Sequence, residues 1–343
     1  MSSGNLSTMQ MEKEARRRKF YQDKIRNRES LKSCGMNLIT TVEKTITNHS
    51  REAELLKYFN EMLHSIFFLG YIHEYRLHPK DFVSTDEVHR SLSCKFPEPF
   101  IMYNSHLPTR TPFSILLEMM EILYETEERI KQELAILLKS MKFPNPLHKE
   151  GSKYEQYYTL ESTVICVCYS NLDSRKYYGA SFCCRKGNAK TILIDLSCLK
   201  TWHEYVSHAV MSFHGGASGD GITFPTELKC RAFYRDWKEN VYNEKRPCAN
   251  CKKLFNLPNA DPDKVEHPFG NCAETECLSK LLKNDQYMQQ KAMIPNHSEE
   301  HLEKLRNSTK ARLTVQLRKA GIECTDNNFL FYNPCVKQNV TIC

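Results

Sequence analysis

The sequence predicts an α+β fold, with a helical N-terminal region over residues 1–145 followed by an α/β domain over 152–343 that carries a small mixed sheet. Three observations predict it. Apolar residues recur at spacings of three and four from Met11 to about Met141, with few glycines, which is the period of amphipathic helices. Proline, glycine and polar residues cluster from Pro144 to Ser152 and mark a boundary. Beyond it, short β-branched or aromatic runs alternate with turn material, the pattern of strands.

In chain order, the basic segment 11–32 comes first, with Arg16, Arg17, Arg18 and Lys19, then Lys24, Arg26 and Arg28. Glu12, Glu14, Asp23 and Glu29 dilute it, so a solvated charged helix competes with a nuclear-localisation or RNA-contacting segment. Leu55, Leu56, Phe59, Met62, Leu63, Ile66 and Phe67 form one helical stripe. Ile115, Leu116, Met119, Ile122, Leu123, Ile130, Leu134 and Leu138 form another. Between them the prolines at 79, 97, 99, 108 and 112 predict a connector with short extended pieces over His78–Pro112. After the boundary, strands are expected at Thr163–Tyr169, Tyr177–Cys184 and Thr191–Leu196, and a helix from about Thr201 to Phe213. A glycine-rich turn over Gly215–Gly221 leads into a helix over Thr226–Val241. Cys248 and Cys272 each open a short helix. The last helix runs from Glu299 to about Ala320 with Gly321 as its C-terminal cap, and Phe329–Tyr332 adds a final strand.

With 343 residues, 41% of them hydrophobic and 10% aromatic, the chain can bury a substantial core. Lys and Arg number 48 against 41 Asp and Glu, a net charge of +7 that permits contact with a polyanion without demanding it. No apolar run approaches the roughly 18 residues of a membrane span, so no membrane association is expected. Met1–Arg18 has no apolar signal-peptide region. The expected location is therefore intracellular, cytoplasmic or nuclear, where the 15 cysteines favour metal binding or burial over disulfides.

The cysteines carry the chemistry. Pro247–Cys251 reads PCxxC, Cys272–Glu274 reads CAE, and Cys277 follows. A CxxC spacer turns both sulfurs the same way, so the pair can chelate one Zn²⁺ and take further ligands from a distant segment. A helix N-terminus favours the thiolate that such a site needs, and Pro247 suits a position with no amide to donate. Cys248, Cys251, Cys272 and Cys277 are thus the candidate zinc ligands, over residues 248–277. Four thiolates close the shell as a structural site, whereas three leave a position for water. Glu274 stands where it could serve the second arrangement.

In this region the chain resembles the cytidine and nucleic-acid deaminase superfamily, whose signature joins an HxE or CxE motif to PCxxC. The resemblance is close over about thirty residues, 247–277, and extends to the rest of the second half only as a pattern of elements. It implies hydrolytic deamination of a nucleotide or nucleic-acid base. Cys248, Cys251 and Cys272 would bind zinc, and Glu274 would be the catalytic proton shuttle between activated water and departing ammonia. It also implies that the preceding strands belong to a mixed α/β sheet. In the superfamily CxE precedes PCxxC; here the order is reversed, which calls for a permuted or convergent site. The alternative is a non-enzymatic interaction protein whose helical half binds a protein partner and whose Cys₄ zinc is structural.

Other candidates carry less. His203, Glu204 and His208 do not form a zinc-protease helix, because the histidines are five apart rather than four. The Gly215–Gly221 turn lacks a following GK[ST] and is no P-loop, and His214 beside it reads as a solvated turn residue. Cys166, Cys168, Cys183 and Cys184 fall on expected strands and read as buried free thiols.

Overall fold

The computed structural model describes residues 3–47, 49–141, 160–183, 188–214, 219–236, 238–258, 267–324 and 328–334. The expected boundary at Pro144–Ser152, Cys184, Gly215 and Gly216 lie outside them.

Helix α1 (Ser3–Thr47) is exposed over residues 10–22, where Arg16 and Arg18 pair with Glu12 and Glu14 one turn earlier. It becomes a core helix once Leu31, Leu38, Ile39, Val42 and Ile46 recur on one face. Its partner is α2 (Glu52–Tyr71), buried without a break from Phe59 to Tyr71. The proline-rich connector is helical rather than extended. It holds a 3₁₀ turn at Pro79–Phe82, α3 (Asp86–Lys95) and α4 (Pro97–Met102). Proline at the first position of a helix loses no hydrogen bond, and Pro79 and Pro97 sit there, while Thr85 caps α3 by accepting from the Val88 amide. The second stripe divides into α5 (Pro112–Leu123) and α6 (Glu127–Ser140), each started by a threonine cap, Thr111 and Thr126.

The sheet has four strands, β1 (Val164–Ser170), β2 (Tyr177–Ala180), β3 (Leu228–Asp236) and β4 (Val241–Lys245), in the order β2-β1-β3-β4. Every pairing is antiparallel, which corrects the expected mixed sheet. Two element assignments also change. Residues 191–196 belong to α7 (Asn188–Leu196), not to a strand. Ile192 to Leu196 are all buried, and a helix covered on most sides shows no helical period to distinguish it from a buried strand. The expected helix over 226–241 is instead the hairpin β3–β4. Its turn is held by Asp236, whose carboxylate accepts from the Lys238 and Glu239 amides, and by Asn240 at φ 59°.

A π-helical turn at Ser197–Thr201 leads into α8 (Glu204–His214). Then come α9 (Ala249–Phe255), α10 (Ala273–Asn284), α11 (Gln286–Lys291) and α12 (Glu299–Lys319). Gly321, at φ 78°, stops α12 as expected, with the Ile322 amide donating back to Leu317. The expected final strand is reduced to a parallel bridge between Phe331 and Leu107. No helix among the described residues is long and apolar enough to cross a membrane.

One apolar core draws on α1, α2, α5 and α6 together with Ile165, Val167, Tyr178 and Phe233 of the sheet, so the helical region and the sheet are buried against each other. A second core gathers α8, α9 and α10 around Cys166 and Cys168. Helix α10 is the piece common to the sheet and the helical region. Glu276 accepts from Ser114 Oγ at the start of α5 and from the Ala180 amide of β2, both at 2.9 Å. Its seat on β2 is Gly179, where a Cβ would stand 2.4 Å from the Cys277 nitrogen and 2.5 Å from the Ala273 carbonyl oxygen. Those contacts are backbone, so no rotamer change relieves them.

Gly179→Ala is therefore expected to destabilise the protein by about 3 kcal/mol, the upper end of typical overpacking costs, in urea unfolding followed by circular dichroism. Wild-type stability in this variant would mean that α10 does not rest on β2 in this way.

Candidate metal centre

Two of the three cysteines in the PCxxC and CAE motifs occupy helix N-caps. Cys248 (φ −81°, ψ 169°) precedes α9 and Cys272 (φ −77°, ψ 152°) precedes α10, while Cys251 lies in the first turn of α9. Both helix starts therefore direct backbone amides and the positive ends of their dipoles at the same sulfurs. Local packing holds them there. The Ile222 amide donates to the Leu254 carbonyl at 2.7 Å, and Gly221 lets the chain approach the Lys253 carbonyl where a Cβ would stand at 2.2 Å. Asn250 Nδ2 donates to the His267 carbonyl, and Gly270 at φ 86° turns the chain into Asn271 and Cys272. His214, far from being a solvated turn residue, is half-buried with its Nε2 3.1 Å from the Phe269 carbonyl oxygen.

The sulfurs of Cys248, Cys251 and Cys272 all lie within 4.8 Å of one another. Cys248 Sγ is 3.6 Å from Cys251 Sγ and 3.3 Å from Cys272 Sγ. Tetrahedral bonds of about 2.3 Å would set sulfurs about 3.8 Å apart, so this group can hold a metal ion with little adjustment. The Cys248 thiol is held well below its ordinary range by the sulfur contacts of Cys251 and Cys272, with the Cys251 and Asn250 amides adding to them against the cost of burial.

Cys277 is not part of this group. Five residues on from Cys272, a helix has turned by about 140° and risen by about 7.5 Å, and the Cys277 thiol donates to the Tyr177 carbonyl of β2 at 3.0 Å. It faces a second sulfur group, Cys166, Cys168 and Cys230, whose sulfurs lie 3.3 to 3.6 Å apart. This group too can hold a metal ion. Cys166 and Cys168 are buried, as expected for alternate residues of a strand, but they are not isolated thiols. Cys230 pairs with Cys168 across β1 and β3. Reading β3 as a helix concealed that convergence, and strand spacing in 228–236 was the signal for it.

Glu274 is 4% exposed and sits between the two sulfur groups. Burial, with Cys230 and Cys248 adding to it, pushes its carboxyl up to about 8, against a hydrogen bond involving Cys251. An open cavity of about 770 Å³ reaches Cys230 and Pro247, with Lys229, Arg231, Glu244, Lys245 and Arg246 around it, and Glu274 and the cysteine trio are not among its lining residues. Arg231 pairs with Glu244 and Glu127.

In comparisons with protein-family models, curated proteins and solved structures, nothing matches this chain. Its chemistry has to be read from its own side chains.

The double variant Cys248→Ser/Cys251→Ser is expected to bind about one metal equivalent less per chain than the wild type, because two of three donors are lost. Elemental analysis of the purified proteins checks this, and equal metal content in both would remove the trio as a site.

Proposed function

We propose that this protein is a zinc-dependent deaminase acting on a nucleotide or a nucleic-acid base. The observation that carries the reading is the convergence of Cys248, Cys251 and Cys272 with Glu274 buried beside them, while Cys277 is engaged by Tyr177. Three thiolates rather than four make an open shell, and a soft sulfur set suits zinc over harder divalent ions. Zinc held there supplies the Lewis acidity that activates water.

The rest falls to the protein. In its ionised form, the minor one at neutral pH for a carboxyl pushed up to about 8, Glu274 takes a proton from the attacking water and returns it to the leaving amine. Its burial keeps bulk water from competing for that proton. The basic residues Lys229, Lys245 and Arg246 around the cavity suit a phosphate group, and half-buried Phe224 offers an apolar face to a base. Each motif contributes a helix N-terminus and the two termini meet at the sulfurs, which supports a permuted or convergent form of the site.

The second reading is a structural zinc that pins α9 to α10 in an interaction protein. The burial of Glu274 favours it, since a carboxylate 4% exposed leaves little space for a substrate in the conformation described.

Ammonia release from cytidine, adenosine and guanine compounds separates the two. The deaminase reading expects release by the zinc-loaded protein and a loss of about 10²–10⁴-fold in Glu274→Ala, the usual contribution of a general acid–base, with zinc content unchanged. Release that is insensitive to this substitution would remove Glu274 from the reaction. Absence of release from all three substrate classes with zinc retained would favour the structural reading.

A further inference from the structure

His208 lies in α8, fully buried, and neither of its ring nitrogens has a hydrogen-bond partner. A buried polar group left unpaired costs on the order of 1–3 kcal/mol, so a histidine in such a position needs a physical reason. Its surroundings supply one. A nitrogen of His208, a nitrogen of His301 and a carboxylate oxygen of Asp220 lie within 4.8 Å of one another. The His301 ring stands 5.1 Å from that of His208 and the His297 ring 5.3 Å from it, both steeply inclined, and His297 Nε2 is also buried without a partner. Three imidazoles thus stand together, two of them beside one carboxylate, and no described residue hydrogen-bonds either ring nitrogen of His208.

The local structure holds these donors in place. Ser298 caps α12 by accepting from the His301 amide, which sets His297 and His301 on either side of the helix start. Asn296, at φ 54°, turns the chain into that cap and donates from Nδ2 to Asp220 Oδ1 at 3.2 Å. The Asp220 amide in turn donates to Ser212 Oγ on α8. A ligating carboxylate fixed by a neighbouring donor is a recurrent feature of metal sites.

We propose that His208, His301 and Asp220 bind a divalent transition-metal ion of the zinc class, a three-donor set that leaves a position for a further ligand. Imidazole and carboxylate donors select this class over calcium or magnesium, which prefer oxygen alone. The site is separate from the cysteine groups in donors and position. It joins α8 to the start of α12, and it thereby fastens the helix whose Arg312 makes a bidentate pair with buried Asp195 of α7.

His301→Ala and Asp220→Asn test the site, because both side chains are only half-buried and can change without opening the core. Each variant, stripped with a chelator and reloaded with zinc, is expected to bind about one equivalent less than wild type while keeping the thiolate-to-metal charge-transfer band of its cobalt form. Zinc binding equal to wild type in both variants would overturn the proposal. If either variant fails to fold, zinc-edge X-ray absorption of the wild-type protein gives the answer directly: imidazole outer-shell scattering is expected, and a spectrum of sulfur ligands alone would overturn the site.

Discussion

The backbone contact between α10 and β2 at Gly179 is the constraint on which the rest of the molecule depends. With no Cβ at that position the helix lies against the strand, and the residues of one short helix are then distributed in fixed directions. Cys272 caps it toward α9, Glu274 lies between the two sulfur groups, Cys277 reaches the Tyr177 carbonyl, and Glu276 takes hydrogen bonds from β2 and α5. One turn further on, Lys280 Nζ stands 3.5 to 3.7 Å from carboxylates of Glu118, Glu121 and Glu276. Against the cost of burial, these acids hold Lys280 above its usual range, while burial pushes Glu121 up to about 7. A cluster of this kind adds little net stability, because desolvation offsets most of the attraction. Its effect is to align α10 with α5, since any other register would strand a buried charge.

Alignment matters because the site is shared among segments far apart in sequence. The sulfurs that can hold a metal come from two helix starts, and Cys230 reaches the same neighbourhood from β3. Among the described residues the helical N-terminal region contributes no donor to these groups, yet it braces α10 through Ser114 and pairs with Lys280 through Glu118 and Glu121. The two regions are thus mechanically linked, and the cavity beside Cys230 opens where β3, β4 and the end of α9 meet.

Features with local causes were legible in the sequence. The stripe in α2, the caps of α9 and α10 at Cys248 and Cys272, and the stop of α12 at Gly321 all follow from short-range chemistry. Two elements were misread: α7 lost its period to a surface covered on most sides, and the spacing of Phe233, Tyr234 and Trp237 in the sequence suited a helix although 228–236 is the strand β3. Cys248, Cys251 and Cys272 were identifiable from their motifs, whereas the place of Cys277 depended on the rotation of α10 against β2. The meeting of His208 with Asp220 and His301 had no sequence signature, because it arises from the return of α12 onto α8.

On this account the starts of α9 and α10 together present three sulfurs to a metal, while α10 turns the fourth, Cys277, away. A crystal of the zinc-loaded protein measured on both sides of the zinc edge tests it most directly. The account predicts an anomalous peak about 2.3 Å from Sγ of Cys248, Cys251 and Cys272, with Cys277 still hydrogen-bonded to the Tyr177 carbonyl. A shell that includes Cys277, or no peak at the trio, would contradict it.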